Sequence, residues 1–202
     1  LMDIFFLALI VAAGAYALKS GYERKRIALL GSHLGQYQIE KLMESLTEGY
    51  MRALREDDPE RRASIWNLLT STETKLCEQF NNFVAGFSRV EGAATRVSRL
   101  PLPLPYADRL FPAATFDLRQ VLLVHAEGIT RAAKNTPGPS PKNKAFTLSA
   151  EMFLMQHSCH WFCKSKAVAS ARLLVRHKTS YEQVLASVAP ETRRAYLALV
   201  GS

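Results

Sequence analysis

Apolar residues come first as an unbroken run and then as a periodic scatter, and this change of pattern divides the chain. Ile4 to Leu18 (IFFLALIVAAGAYAL) is an uncharged stretch of 15 residues between Asp3 and Lys19. A membrane helix ordinarily uses about 20 residues. Lys19 can lay its stem along lipid while lifting its ammonium toward water, and Tyr16 and Tyr22 suit the headgroup region, so the usable span reaches Tyr22. Residues 1–22 are therefore predicted as a transmembrane anchor and 23–202 as a helical domain.

Asp3 precedes the run, whereas Lys19, Arg24, Lys25 and Arg26 follow it. Basic flanks stay on the cytosolic side, so the expected location is the inner (cell) membrane, single-pass, with the C-terminal domain in the cytoplasm. A cleaved signal peptide is the competing reading, because Ala15-Tyr16-Ala17 resembles a small-x-small cleavage site. It wants positive charge before the apolar run, and that charge lies after it here. Ala13, Ala17 and Gly21 recur at the spacing that lets two membrane helices approach closely, so a homo-oligomer formed through the anchor is one expectation.

Beyond Tyr22 the period is helical. Leu34, Tyr37, Leu42, Leu46, Tyr50 and Leu54 recur three or four residues apart, and Asp58 before Pro59 reads as a cap followed by the first helical position. One helix should end near Arg55 and another begin at Pro59, as an antiparallel pair. The second carries Ile65, Trp66, Leu69, Leu76, Phe80, Phe83, Val84 and Phe87 on one face, with a break at Thr70 to Thr72. Periodicity then fades over a Pro-rich connector, residues 100–114, whose PLPLP (Pro101 to Pro105) is read as a stiff, extended strap.

Thr115 is expected to cap a helix presenting Leu118, Val121, Leu122, His125 and Ile129 and ending near Asn135. Residues 135–144, which hold TPGPSPKNK, read as a flexible exposed loop. Thr147 to about Lys178 is the longest remaining helical stretch. Thr179 with Glu182 suggests a capping box that restarts the chain, and Pro190 opens a last helix. The fold class that follows is all-α: one transmembrane helix and then a bundle of about five or six helices.

Charge changes the picture in the second half. The net charge of +8 is uneven, with 13 Lys/Arg against 12 Asp/Glu in residues 1–100 and 13 against 6 in residues 101–202. Such an excess draws nucleic acid, anionic lipid or an acidic partner. Lys164, Arg172 and Arg176 project near one sector of the 147–178 helix and form the expected basic surface. On a chain already tethered to a membrane, docking to its surface is the simplest use for them.

Three cysteines, Cys77, Cys159 and Cys163, form no disulfide framework and suit a reducing compartment. The densest group of potential ligands is His157-Ser158-Cys159-His160-Trp161-Phe162-Cys163. His160 and Cys163 share a helix face, and His125 on the preceding helix is the one obvious donor to complete a metal site. Against a metal stands the ordinary packing of buried cysteines and histidines. Glu-x-x-His repeats, GxxxxGK[ST], GxGxxG and GxSxG are all absent.

The function these features favour is non-enzymatic: a membrane-anchored helical adaptor or assembly subunit that presents its bundle to a protein partner within a bacterial-type envelope complex. No cofactor is expected on this reading. The alternatives are a membrane-tethered nucleic-acid-binding protein and a metal- or haem-binding helical protein.

Overall fold

The first helix is longer than its apolar run. In the computed structural model, which describes residues 2–100, 105–134, 138 and 140–201, α1 (Met2–Leu34) is uninterrupted. Its length is about 50 Å at about 1.5 Å per residue. Residues 4–18 are exposed on every side, whereas Arg26 and Leu30 are buried against the domain. By length and composition Ile4–Leu34 is able to cross a membrane, and its apolar part is not buried in the domain. Exposure falls from Lys19 onward, so the boundary expected at Tyr22 lies within one continuous helix. Gly31 and Gly35, poor helix formers, flank the end of α1, and residues 35–38 form a turn where the periodicity had suggested one helix through to Arg55.

Helices α2 (Ile39–Arg55) and α3 (Pro59–Phe87) form the expected antiparallel pair. Asp58 caps α3, accepting from the Glu60 N–H at 2.8 Å and the Arg61 N–H at 3.2 Å. No break occurs at Thr70 to Thr72. Thr70 and Thr74 instead donate back to carbonyls one turn earlier, so their hydroxyls are satisfied within a continuous helix. Phe80, Phe83 and Phe87 are fully buried with successive ring centroids 5.7 Å apart, and Phe87 meets Phe162 edge-on at 6.4 Å.

After a short 3-10 turn, β1 (Arg96–Ser98) pairs antiparallel with β2 (Thr115–Asp117), with Val97 opposite Phe116. Thr115 is therefore a strand residue, and the expected cap moves to Asp117, whose Oδ1 accepts from the Arg119 N–H at 3.0 Å. Three-residue strands are too short to carry a readable alternation. Between them lie α4 (Ala107–Leu110), a single turn inside the expected connector, and a 3-10 turn at Pro112–Ala114. Most of the PLPLP stretch falls outside the described residues.

Helix α5 (Leu118–Lys134) is followed by α6 (Pro141–Cys163). Part of the expected 135–144 loop lies outside the described residues, and its last four residues are helix, because Ser140 caps α6 by accepting from the Asn143 N–H. The helix expected over 147–178 is two. Cys163 ends α6, and Ser165, accepting from the Val168 N–H at 3.3 Å, caps α7 (Lys166–His177). The capping box falls one residue later than expected, between Ser180 and Gln183, and opens α8 (Tyr181–Ser187); α9 (Pro190–Val200) starts at Pro190 as foreseen. Among the described residues nine helices occur, and α4 together with the α6/α7 break brings those after α1 to eight rather than six. Helix α6 is the hub, packing against α1, α2, α5, α7 and α8. Its apolar residues encircle it, as a core helix requires.

Candidate functional site

Where α1 leaves its exposed segment it meets α2 and α6, and the three helices leave a groove of about 310 Å³ between them. Each wall is a helix stripe: Ile27, Leu30 and Leu34 from α1, Ile39 and Met43 from α2, Met155, Cys159 and Cys163 from α6. Polar atoms are confined to Glu40, Gln156, His160, Lys164 and Arg172. Ile27 remains 45% exposed, so this wall is open to an incoming molecule. On the other side of Gln156 and His160, a second hollow of about 490 Å³ runs between α6 and α7 and is rimmed by Arg172 and Arg176.

The sulfur groups make the wall soft and unreactive. Cys159 Sγ lies 3.9 Å from Met155 Sδ, and burial pushes its thiol well up. Burial also holds the Cys163 thiol at about 11, against the lowering pull of Arg26, Arg172 and Lys164. Both stay protonated at neutral pH, which suits packing and disfavours nucleophilic attack or ready ligation.

The three residues singled out as a metal set are not brought together. His125 is fully buried, with Nε2 2.9 Å from Ser158 Oγ, and burial lowers its pKa to about 3. Ser158 precedes His160 by two residues, about 200° around α6, so His125 and His160 address opposite sides of that helix. His160 instead has its Nδ1 3.4 Å from Arg172 Nη1, and burial, then Arg172 and Arg176, depress it to about 4. Among the described residues no group of three or more His, Cys, Asp or Glu is placed to hold a metal ion.

The basic residues divide into different roles. Lys19 lies 3.9 Å from Glu23, and Arg24 and Lys25 are exposed. Arg26 departs from its expected place as a membrane-flanking cation. It is 8% exposed, donates to the Phe162 carbonyl at 2.9 Å and to the Arg96 carbonyl, and lies over the Tyr22 and Phe162 rings. It ties α1 to the end of α6 and to β1. Of the expected basic surface, Lys164 and Arg172 both line the groove, Lys164 also lying 3.8 Å from Glu23, while Arg172 and Arg176 face the hollow between α6 and α7.

The periodicity reading missed a buried polar cluster. Glu151 is fully buried on α6, where Oε1 accepts from the Ala189 N–H at 3.0 Å and burial raises its pKa to about 7. Gly128 on α5 makes room for it: a Cβ there would overlap Glu151 Oε2 and stand 2.6 Å from Thr192 Oγ1. A glycine in the middle of α5 was the available signal. Glu73 plays a similar part between helices, accepting from Tyr50 Oη at 2.6 Å and pairing with Lys144. None of these groups lines the groove, so they hold helices together rather than meet a ligand.

Comparison of the chain with protein-family models, with curated proteins and with solved structures finds no match, so the functional reading rests on this geometry.

Proposed function

We propose that the protein is a membrane-anchored helical adaptor, non-enzymatic, whose bundle takes an apolar segment of a protein partner into the α1/α2/α6 groove on the cytoplasmic side of the cell membrane. The observation that carries this reading is the dual use of α1. Its first half is an apolar helix exposed all round, and its second half forms one wall of an open apolar groove. A groove of helix stripes with methionine and cysteine among its walls accommodates varied apolar side chains, as helix-in-groove recognition needs. Retention of α1, as opposed to removal of a leader, is favoured by the charge placement around it.

Site-specific photocrosslinking in cells tests the proposal. A photoreactive residue in place of Ile27, on the groove wall, is expected to give a discrete protein adduct that the same residue in place of Leu123, exposed on α5, does not. The captured protein, once purified, should bind the full chain and lose that binding on Ile27→Glu. Equal labelling at both positions, or binding indifferent to Ile27→Glu, would overturn the proposal.

A further inference from the structure

The short segment around α4 stands where α1 would leave the bilayer. Tyr22, at the end of the apolar span, donates to Asp108 Oδ1 at 2.6 Å, and its ring packs on Tyr106 at 4.9 Å. Pro105 lies with Lys19 and Tyr22 around one shallow cleft. Tyr106 holds a left-handed backbone (φ 59°), an unfavourable conformation for a bulky residue, stabilised here by its contact with α1. Ala107 is buried beneath the turn. The result is a pinned loop whose tip, Leu110 and Phe111, is 68% and 49% exposed.

Two large apolar side chains held outward beside a membrane helix need an apolar medium to cover them, and the surrounding charge identifies it. Arg109, Lys19 and Lys164 ring the same level of the molecule, with Arg24 and Lys25 about a turn further along α1. Glu23, near both Lys19 and Lys164, and Asp108, which accepts from Tyr22, are the acids among them, so five cations stand against two carboxylates. Apolar tips within a basic collar match an anionic headgroup layer above acyl chains.

We propose that the α4 loop is a second membrane contact, in which Leu110 and Phe111 insert into the cytoplasmic leaflet of an anionic bilayer while the collar pairs with its headgroups. The inference rests on α1 being embedded. It goes beyond anchoring, because two contacts fix the rotation and tilt of the bundle and so the direction in which the groove opens.

The test uses the full chain reconstituted into bilayers of acyl-brominated phosphatidylcholine with phosphatidylglycerol, and reads tryptophan quenching over the background of Trp66 and Trp161. Three separate variants are compared: Phe6→Trp in the apolar segment, Phe111→Trp at the loop tip, and Phe146→Trp. Phe146 is 56% exposed near the start of α6, whose other end holds Phe162 against Arg26, so it lies at the far end of the bundle. Phe6→Trp and Phe111→Trp should both be quenched, and Phe146→Trp should not. Leu110→Trp repeats the measurement at a more exposed position in case Phe111→Trp perturbs the loop. Quenching at Phe6→Trp with none at either loop position overturns this inference alone. Absence of quenching at Phe6→Trp overturns the embedded α1 on which the proposed function also rests.

Discussion

Glu151→Gln should change how the stability of the domain depends on pH, and both size and sign follow from where the carboxyl sits. Glu151 is fully buried between α6, α5 and α9, and burial carries its pKa from 4.5 to about 7. The folded protein therefore holds a proton that the unfolded chain gives up at lower pH. Between those values the native state binds more protons, so this contribution is fully present below the unfolded value and is lost as pH rises through the folded one. The swing is about 3 kcal/mol, at about 1.4 kcal/mol per tenfold change in proton affinity. Glutamine keeps the acceptor for the Ala189 N–H and cannot ionise. The stability of Glu151→Gln relative to the parent should thus rise by about 3 kcal/mol between about pH 4 and about pH 8. His125, His157 and His160, depressed by burial, act in the opposite sense, costing stability as pH falls below the ordinary histidine range. Being common to both proteins, they largely cancel in the difference. Urea unfolding in a non-ionic micelle, followed by tryptophan fluorescence, measures it. Curves for the two proteins that stay parallel within about 0.5 kcal/mol across that range would refute the assignment of a protonated, buried Glu151.

Other expectations can be checked on the same preparation. Phe80→Ala removes a fully buried ring from the α3 stack and should cost about 3 to 5 kcal/mol, whereas a loss below about 1 kcal/mol would mean that this face is not enclosed. Gly128→Ala drives a methyl group into Glu151 and Thr192 and should destabilise by about 1 to 3 kcal/mol, visible as a lower Tm; an unchanged Tm would show that the cluster has room. Metal analysis of protein purified without chelator should give background zinc and iron for the parent and for His160→Ala. Stoichiometric metal that is lost from single variants at His125, His160 or Cys163 would restore the three as ligands.

Long amphipathic stretches and proline-marked starts were legible in the chain: the α2/α3 hairpin at Asp58-Pro59, the Phe80 to Phe87 face and the Pro190 start. Features set by a single residue were not. Ser165 divides α6 from α7, and a serine in a helical pattern does not announce itself as a cap, so the periodicity runs the two helices together. Arg26 follows Arg24 and Lys25 in one basic run, yet it turns inward because the Phe162 and Arg96 carbonyls and two aromatic rings meet it there. Such partners come from distant parts of the chain, so no local pattern records them. The His/Cys cluster was visible as composition, but its meaning depended on which helix faces which, and Ser158 rather than His160 faces His125. The groove was equally hidden, since its walls are ordinary core stripes that happen to be left partly uncovered.

On the proposed function α1 stays in place as a membrane anchor with the bundle on the cytoplasmic side. A fluorescent protein fused after Ser202, followed through fractionation of the cells, tests it most directly. Fluorescence should remain with membranes after an alkaline carbonate wash, as expected of an embedded helix with basic residues on its cytoplasmic flank. Fluorescence in the soluble fraction would show that α1 does not hold the chain in a bilayer, and a dark membrane-bound fusion whose alkaline phosphatase counterpart is active would show the orientation to be reversed.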